Sequence, residues 1–177
     1  FEPVTTPAAL QGAHVSALHE DAAGTLWVGT FEDGLFRAYE GGIEPVGGMA
    51  AGTLITALHS DRRGTLWVGT SDGLLRWAGE APQAFRPVEG LPGPFVVALG
   101  EDATGRLWVS TRSGLARRVD GTVQTAGLPD ALDGVSAFAF WADGTGSLWL
   151  GTDGRGLMRV RDGAVEALTS EYGLLND

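Results

Sequence analysis

Four aspartates in this 177-residue chain precede four tryptophans in the same setting: Asp21 before Trp27, Asp61 before Trp67, Asp102 before Trp108 and Asp143 before Trp149. Carboxylates in that number could ligate a metal ion or serve as general acids and bases. Each, however, is followed three residues later by a glycine (Gly24, Gly64, Gly105, Gly146), and that pattern has a sufficient local reason. An aspartate accepts hydrogen bonds from backbone N–H groups ahead of it, while the glycine takes the positive φ that closes a hairpin with a bulge. A residue copied into every repeat at one turn position is structural by this logic. Arg37, Arg76, Arg117 and Arg159 also recur and could form an anion-binding ring. They fall in the third strand of each copy, away from any common axis, so pairing with acidic neighbours on adjacent copies is the expectation. His14, His19 and His59 are the only histidines. With no cysteine beside them, and with equivalent positions in successive copies not required to converge, they do not make a metal site. No G-x-S-x-G elbow or phosphate-cradling glycine loop occurs. The expectation is no catalytic residue, no metal and no cofactor.

Composition narrows the class. Hydrophobic residues make up 44%, enough for a core, and 28 glycines supply turns. The 12 basic residues, all arginine, against 22 acidic ones give a net charge of −10, which repels phosphate backbones and argues against nucleic acid as a partner. Without cysteine there is no disulfide or thiolate chemistry. No apolar run approaches the ~20 residues of a spanning helix.

The elements that carry these residues read as four short strands per copy. The tryptophans are spaced by 40, 41 and 41 residues, a period that marks a repeat architecture. The first strand of each copy is Val15–His19, Ile55–His59, Val96–Gly100 and Ala137–Trp141, with alanine always third (Ala17, Ala57, Ala98, Ala139), as an innermost strand requires. The second is LWVGT or a close variant, apolar on both faces by the two-residue period of a strand. A sheet buried on both faces needs sheets on both sides, so the tryptophans are read as packing between sheets. The small residue two places after each (Gly29, Gly69, Ser110, Gly151) leaves room for a ring of an adjacent sheet. GLFR, GLLR, GLAR and GLMR form the third strand. The fourth is IEPV, FRPV, TVQT and VEAL, with FEPV at Phe1–Val4 as a fifth such segment. Prolines Pro3, Pro45 and Pro87 suit an edge strand. The fold class is all-β: a β-propeller of four-stranded antiparallel blades, with blades at 15–54, 55–95, 96–134 and 135–177 and an outer strand of a preceding blade at 1–14.

HEDAAGTLWVGTFEDGLFR, HSDRRGTLWVGTSDGLLR, GEDATGRLWVSTRSGLARR and WADGTGSLWLGTDGRGLMR resemble the two-component regulator propeller repeat. The departures are Ser110 for glycine, and Trp141 with Ala142 before the fourth aspartate. The resemblance implies a large propeller in the periplasmic sensor region of a bacterial membrane receptor, with a membrane-linked output domain of the hybrid histidine kinase or diguanylate cyclase type. It therefore implies periplasmic localisation. Outer-strand segments number five against four copies of strands one to three, so the chain is expected to be an arc of a bigger ring whose two open blade faces self-associate or meet a further segment.

Function in a repeat fold resides where the copies differ. The segments between the fourth strand and the next blade, and the turns between strands two and three, fall on one face. The candidate contacts for an unknown small ligand or partner domain are Phe31, Glu32, Asp72, Arg112, Asp153 and Arg155. The alternative is a propeller enzyme of lyase or lactonase type, which would need acidic or histidine side chains converging at the axis. The inner strands offer only Ser16, His19, Thr56 and His59 as polar groups, so the sensor reading is preferred.

Overall fold

The computed structural model describes residues 10–39, 42–77 and 85–174, so the FEPV segment and Pro3 lie outside the described residues. Sixteen strands form four antiparallel sheets, each a simple meander of four neighbours in chain order. The first sheet is β1 (Val15–Glu20), β2 (Leu26–Thr30), β3 (Leu35–Tyr39) and β4 (Gly42–Val46). The second is β5 (Ile55–Ser60), β6 (Leu66–Thr70), β7 (Gly73–Trp77) and β8 (Phe85–Val88). The third is β9 (Val96–Glu101), β10 (Leu107–Thr111), β11 (Gly114–Val119) and β12 (Thr122–Gln124). The fourth is β13 (Ala137–Ala142), β14 (Leu148–Thr152), β15 (Leu157–Arg161) and β16 (Ala164–Leu168). These sheets are propeller blades. The chain divides into two compact units, Phe1–Pro87 and Val88–Asp177, each holding two of them.

Within each unit the first strand of the second sheet packs on the first strand of the sheet before it, β5 on β1 and β13 on β9. The small residue after the tryptophan makes this approach possible. A Cβ on Gly29 would sit 2.5 Å from Ile55 Cγ2, so only glycine lets the first residue of the next sheet reach β2. In the third sheet Ser110 holds that place, and its hydroxyl accepts a 2.8 Å hydrogen bond from the Ala137 N–H. The space therefore holds the entry of the next innermost strand, not an aromatic ring as the sequence suggested. An aromatic contact does exist beside it: Trp27 meets Trp77 edge-to-face, with centroids 4.9 Å apart.

A register shift in the first strand accompanies this packing. It falls between Val15 and Ala17, Ile55 and Ala57, and Ala137 and Ala139, and at the Thr111 end of β10 in the third sheet. One residue is left over there, which bends and twists the innermost strand.

Trp27, Trp67 and Trp108 are buried; Trp27 with Leu35, Ile55 and Leu66, and Trp108 with Leu115 and Leu148, belong to the inter-sheet cores. Trp149 is half-buried. Equivalent positions show why exposure differs between sheets. Leu58 in the second sheet is 9% exposed under its neighbour, whereas Leu18 at the same place in the first sheet is 62% exposed. On the fourth sheet Phe138 and Trp141 are likewise open, Trp141 at 65%.

Replacing Trp67 with alanine is expected to cost about 3–5 kcal/mol through the cavity it leaves. Gly29→Ala should cost about 1–3 kcal/mol through overpacking against Ile55. Urea denaturation of the two variants against wild type checks both, and wild-type stability in Gly29→Ala would contradict the close approach.

Candidate functional site

The aspartates are saturated by the turns they close. Asp61 Oδ1 accepts from the Arg63 and Thr65 N–H groups at 3.0 and 2.9 Å, and Oδ2 accepts from Trp67 Nε1 at 3.0 Å. The same bracket recurs at Asp21 with Trp27, Asp102 with Trp108 and Asp143 with Trp149. Burial pushes the Asp61 carboxyl up, but the indole and backbone donors outweigh it and hold it below the ordinary range. Asp21 and Asp102 are lowered by the same balance, and Asp143 is lowered strongly, first by its bond to Trp149. A carboxylate that stays ionised and has both oxygens engaged at a turn is a poor proton donor. Among the described residues no group of three or more histidine or acidic side chains could hold a metal.

The recurrent arginines depart from expectation in their partners. Arg37 pairs with Glu44, and Arg159 with Glu166 at 3.3 Å. Both pairs lie inside one sheet, because Arg37 stands directly opposite Glu44 and Arg159 opposite Glu166 in the register of strands three and four. Pairing between adjacent blades was expected, yet Arg37 and Arg159 each pair with the residue directly across the strand.

His19 and His59 do converge. Their rings are 5.7 Å apart, because β5 packs on β1 and the two positions are equivalent. His19 Nε2 accepts from the Ser60 N–H at 2.8 Å, whereas His59 Nε2 is buried without a partner. Burial lowers the pKa of His19, and lowers that of His59 to about 4, with the neighbouring His19 adding to the effect. The sequence placed the two histidines at equivalent positions of successive copies, and it is the packing of β5 on β1 that makes them meet.

The loop candidates fall where the sequence placed them in the chain, on turns tied to the segment entering the first strand. Phe31 N–H donates to the His14 carbonyl, Ser71 N–H to Leu54, Arg112 N–H to Phe95 and Asp153 N–H to Ser136. Phe31, Glu32 and Asp72 in the first unit, and Arg112, Asp153 and Arg155 in the second, are all exposed. The Arg112 guanidinium lies 3.7 Å over the Phe95 ring, and His14 meets Phe31 edge-on at 6.3 Å.

A feature the sequence analysis missed is a cleft of about 540 Å³ between the third and fourth sheets, on the side of the Asp-x-x-Gly turns. Arg106, Arg117 and Arg161 line it together with Leu128, Leu148 and Val160.

The family model of the two component regulator propeller matches residues 9–32, 51–72 and 90–113. No curated protein matches the sequence. The extracellular domain of BT3049 from B. thetaiotaomicron, described as a hybrid two component system, is similar in structure (TM-score 0.77, 19% identity, 92% of this chain and 24% of that one). PorZ, a surface component of the type-IX secretion system of Porphyromonas gingivalis, is similar over 99% of this chain and 30% of its own (TM-score 0.69, 17% identity). Virginiamycin B lyase from Staphylococcus aureus is similar over 94% and 57% (TM-score 0.68, 16% identity). At these identities the likeness is one of fold, the β-propeller. The chain spans about a quarter of the BT3049 domain.

The histidine pair sets an acid dependence. His59 is lowered from 6.5 to about 4 on folding, so between these values the unfolded chain binds the proton and the folded one does not. Stability is full above about pH 6.5 and falls as the pH drops towards 4, by up to about 3 kcal/mol. Below that range the aspartates, whose pKa values are also lowered in the folded protein, continue the decline. Denaturation of wild type and His59→Leu across pH 4–8 should show a flatter slope in the variant, and equal slopes would contradict the assignment.

Proposed function

We propose that this chain, in which the two component regulator propeller model matches residues 9–32, 51–72 and 90–113, is a non-catalytic sensing module of a bacterial signal-transduction receptor. It works on the periplasmic side of the membrane and reports to a membrane-linked kinase or cyclase output in the full receptor. The observation that carries this reading is the division of labour among its polar groups. The acids and the histidine that recur in the repeat frame with polar partners are tied into it: the four aspartates by the indoles, and His19 by Ser60. The side chains that vary between copies are exposed on the turns joining strands two and three. Phe31, Glu32, Asp72, Arg112, Asp153 and Arg155 are the contacts proposed for a small ligand or a partner domain.

The exposed apolar faces fit the same reading. Val15, Leu18 and Leu26 on the first sheet occupy places that Ile55, Leu58 and Leu66 fill under cover in the second, while Phe138 and Trp141 lie open on the fourth. Further repeats of the same kind are the proposed cover, which accords with a match to about a quarter of the BT3049 domain.

A thermal-shift screen with neutral and charged oligosaccharides and short peptides, followed by mass spectrometry of every hit, tests the function. Hits that raise the melting temperature and are recovered unchanged support sensing, and chemical conversion of a hit would overturn the non-catalytic reading. Arg112→Ala and Arg155→Ala should weaken binding of a hit by about tenfold, at a stability cost within about 0.5–1 kcal/mol. Asp61→Ala should do the reverse.

A further inference from the structure

The repeats supply their own control for the cleft between the third and fourth sheets. In two sheets the third-strand arginine faces a glutamate across the strand, Arg37 with Glu44 and Arg159 with Glu166. In the third sheet the register is the same, but the residue opposite Arg117 is Gln124. Arg117 forms no ion pair among the described residues. One of its terminal nitrogens donates to the Gly127 carbonyl at 2.7 Å, and its Nε is buried without a partner.

A second departure falls at the same place. The residue before the second strand is Thr25, Thr65 or Ser147 in three sheets and Arg106 in the third. In the fourth sheet that hydroxyl accepts from Arg159 Nε at 3.0 Å. The third sheet thus has a cation where its neighbour has an acceptor, and an amide where two others have a carboxylate. Arg161 reaches the same cleft from the fourth sheet, and its ion pair among the described residues is a 3.7 Å contact with the exposed Asp162. The remaining acid there, Asp102, has both oxygens engaged by Thr104, Arg106 N–H and Trp108. Three of the chain's twelve arginines therefore gather around a cavity in a protein of net charge −10, beside an apolar wall of Leu128, Leu148 and Val160.

We propose that this cleft binds a small carboxylate ligand with an apolar body, its carboxylate pairing with the Arg117 guanidinium from the cleft, as Glu44 and Glu166 pair with the equivalent arginines of the first and fourth sheets from across the strand. A guanidinium fork matches a planar carboxylate in two parallel hydrogen bonds, and Arg106 and Arg161 add charge at the rim. The site is separate from the loop face assigned to sensing, so either assignment can fail without the other.

Isothermal titration calorimetry of the chain at low ionic strength, with glutarate and citrate as probes and the neutral diamide glutaramide and sulfate as controls, tests it. Glutarate or citrate should bind, and glutaramide should not. Arg117→Gln should weaken binding by at least about tenfold and Arg106→Gln by about threefold. Gln124→Glu rebuilds the internal pair and cannot unfold the sheet for want of a partner. It should weaken binding as much as Arg117→Gln does, while the melting temperature stays level or rises. Failure of both carboxylates to bind, sulfate binding as tightly as glutarate, or unchanged affinity in Gln124→Glu would each overturn the proposal.

Discussion

The indole N–H of the repeated tryptophan finds the same acceptor in each of the four sheets. The carboxylate six residues earlier takes the indole on one oxygen and two backbone N–H groups of its own turn on the other. A hydrogen bond to a charged group contributes about 1.5–3 kcal/mol net, and leaving the indole unpaired would cost about as much again. The bond also fixes geometry. It ties the turn between strands one and two to the side chain that fills the space between sheets, so that turn shape and sheet packing are set together. The pKa lowering of all four aspartates is the electrostatic signature of the same bracket.

With the tryptophan fixed, the distance to the next sheet is decided by the residues that let its first strand approach. Gly29 admits Ile55 and Ser110 takes the Ala137 N–H. The fifth position of the first strand shows the same constraint from the other side. It is His19, His59, Gly100 and Trp141 in the four sheets. A Cβ on Gly100 would lie 2.4 Å from Phe140 Cβ, so the side chain there is given up to the neighbour. In the first unit the position keeps a ring in each sheet, and the two imidazoles meet. A close pair of imidazoles is compatible with burial only while both are neutral, which is why the packing that brings them together also depresses their pKa values.

Much of this was legible in the chain because strands have a period of two and the repeat has a period of about 40. The LWVGT strands begin and end at the residues read from sequence, and the turns between strands two and three are tied to the entry of the first strand as their shared face requires. What was not legible depends on register or on distance in space. The shift beside Ala17 and its equivalents leaves no mark in residue type, since alanine suits either pairing. The indole bond of the aspartates was hidden behind a turn role that already explained them. The arginine partners were placed on the wrong sheet because cross-strand pairing cannot be assigned until strands three and four are set against each other. Once Arg37 is opposite Glu44, the odd residue Gln124 stands out, and so does the cleft.

The consequence for chemistry is that a repeat protein carries its information in departures from its own pattern. An aspartate found four times in one bracket has a structural duty sufficient to explain it, whereas Gln124 facing a retained Arg117, where Glu44 and Glu166 face Arg37 and Arg159, does not. Keeping a guanidinium while removing its carboxylate raises the free energy of the folded chain, since a half-buried cation is stabilised by a partner it no longer has. Moving a second cation, Arg106, to the same place adds like-charge repulsion to that cost. Two unfavourable changes at one spot, on a framework otherwise held constant, are easiest to reconcile with stabilisation supplied from outside the chain.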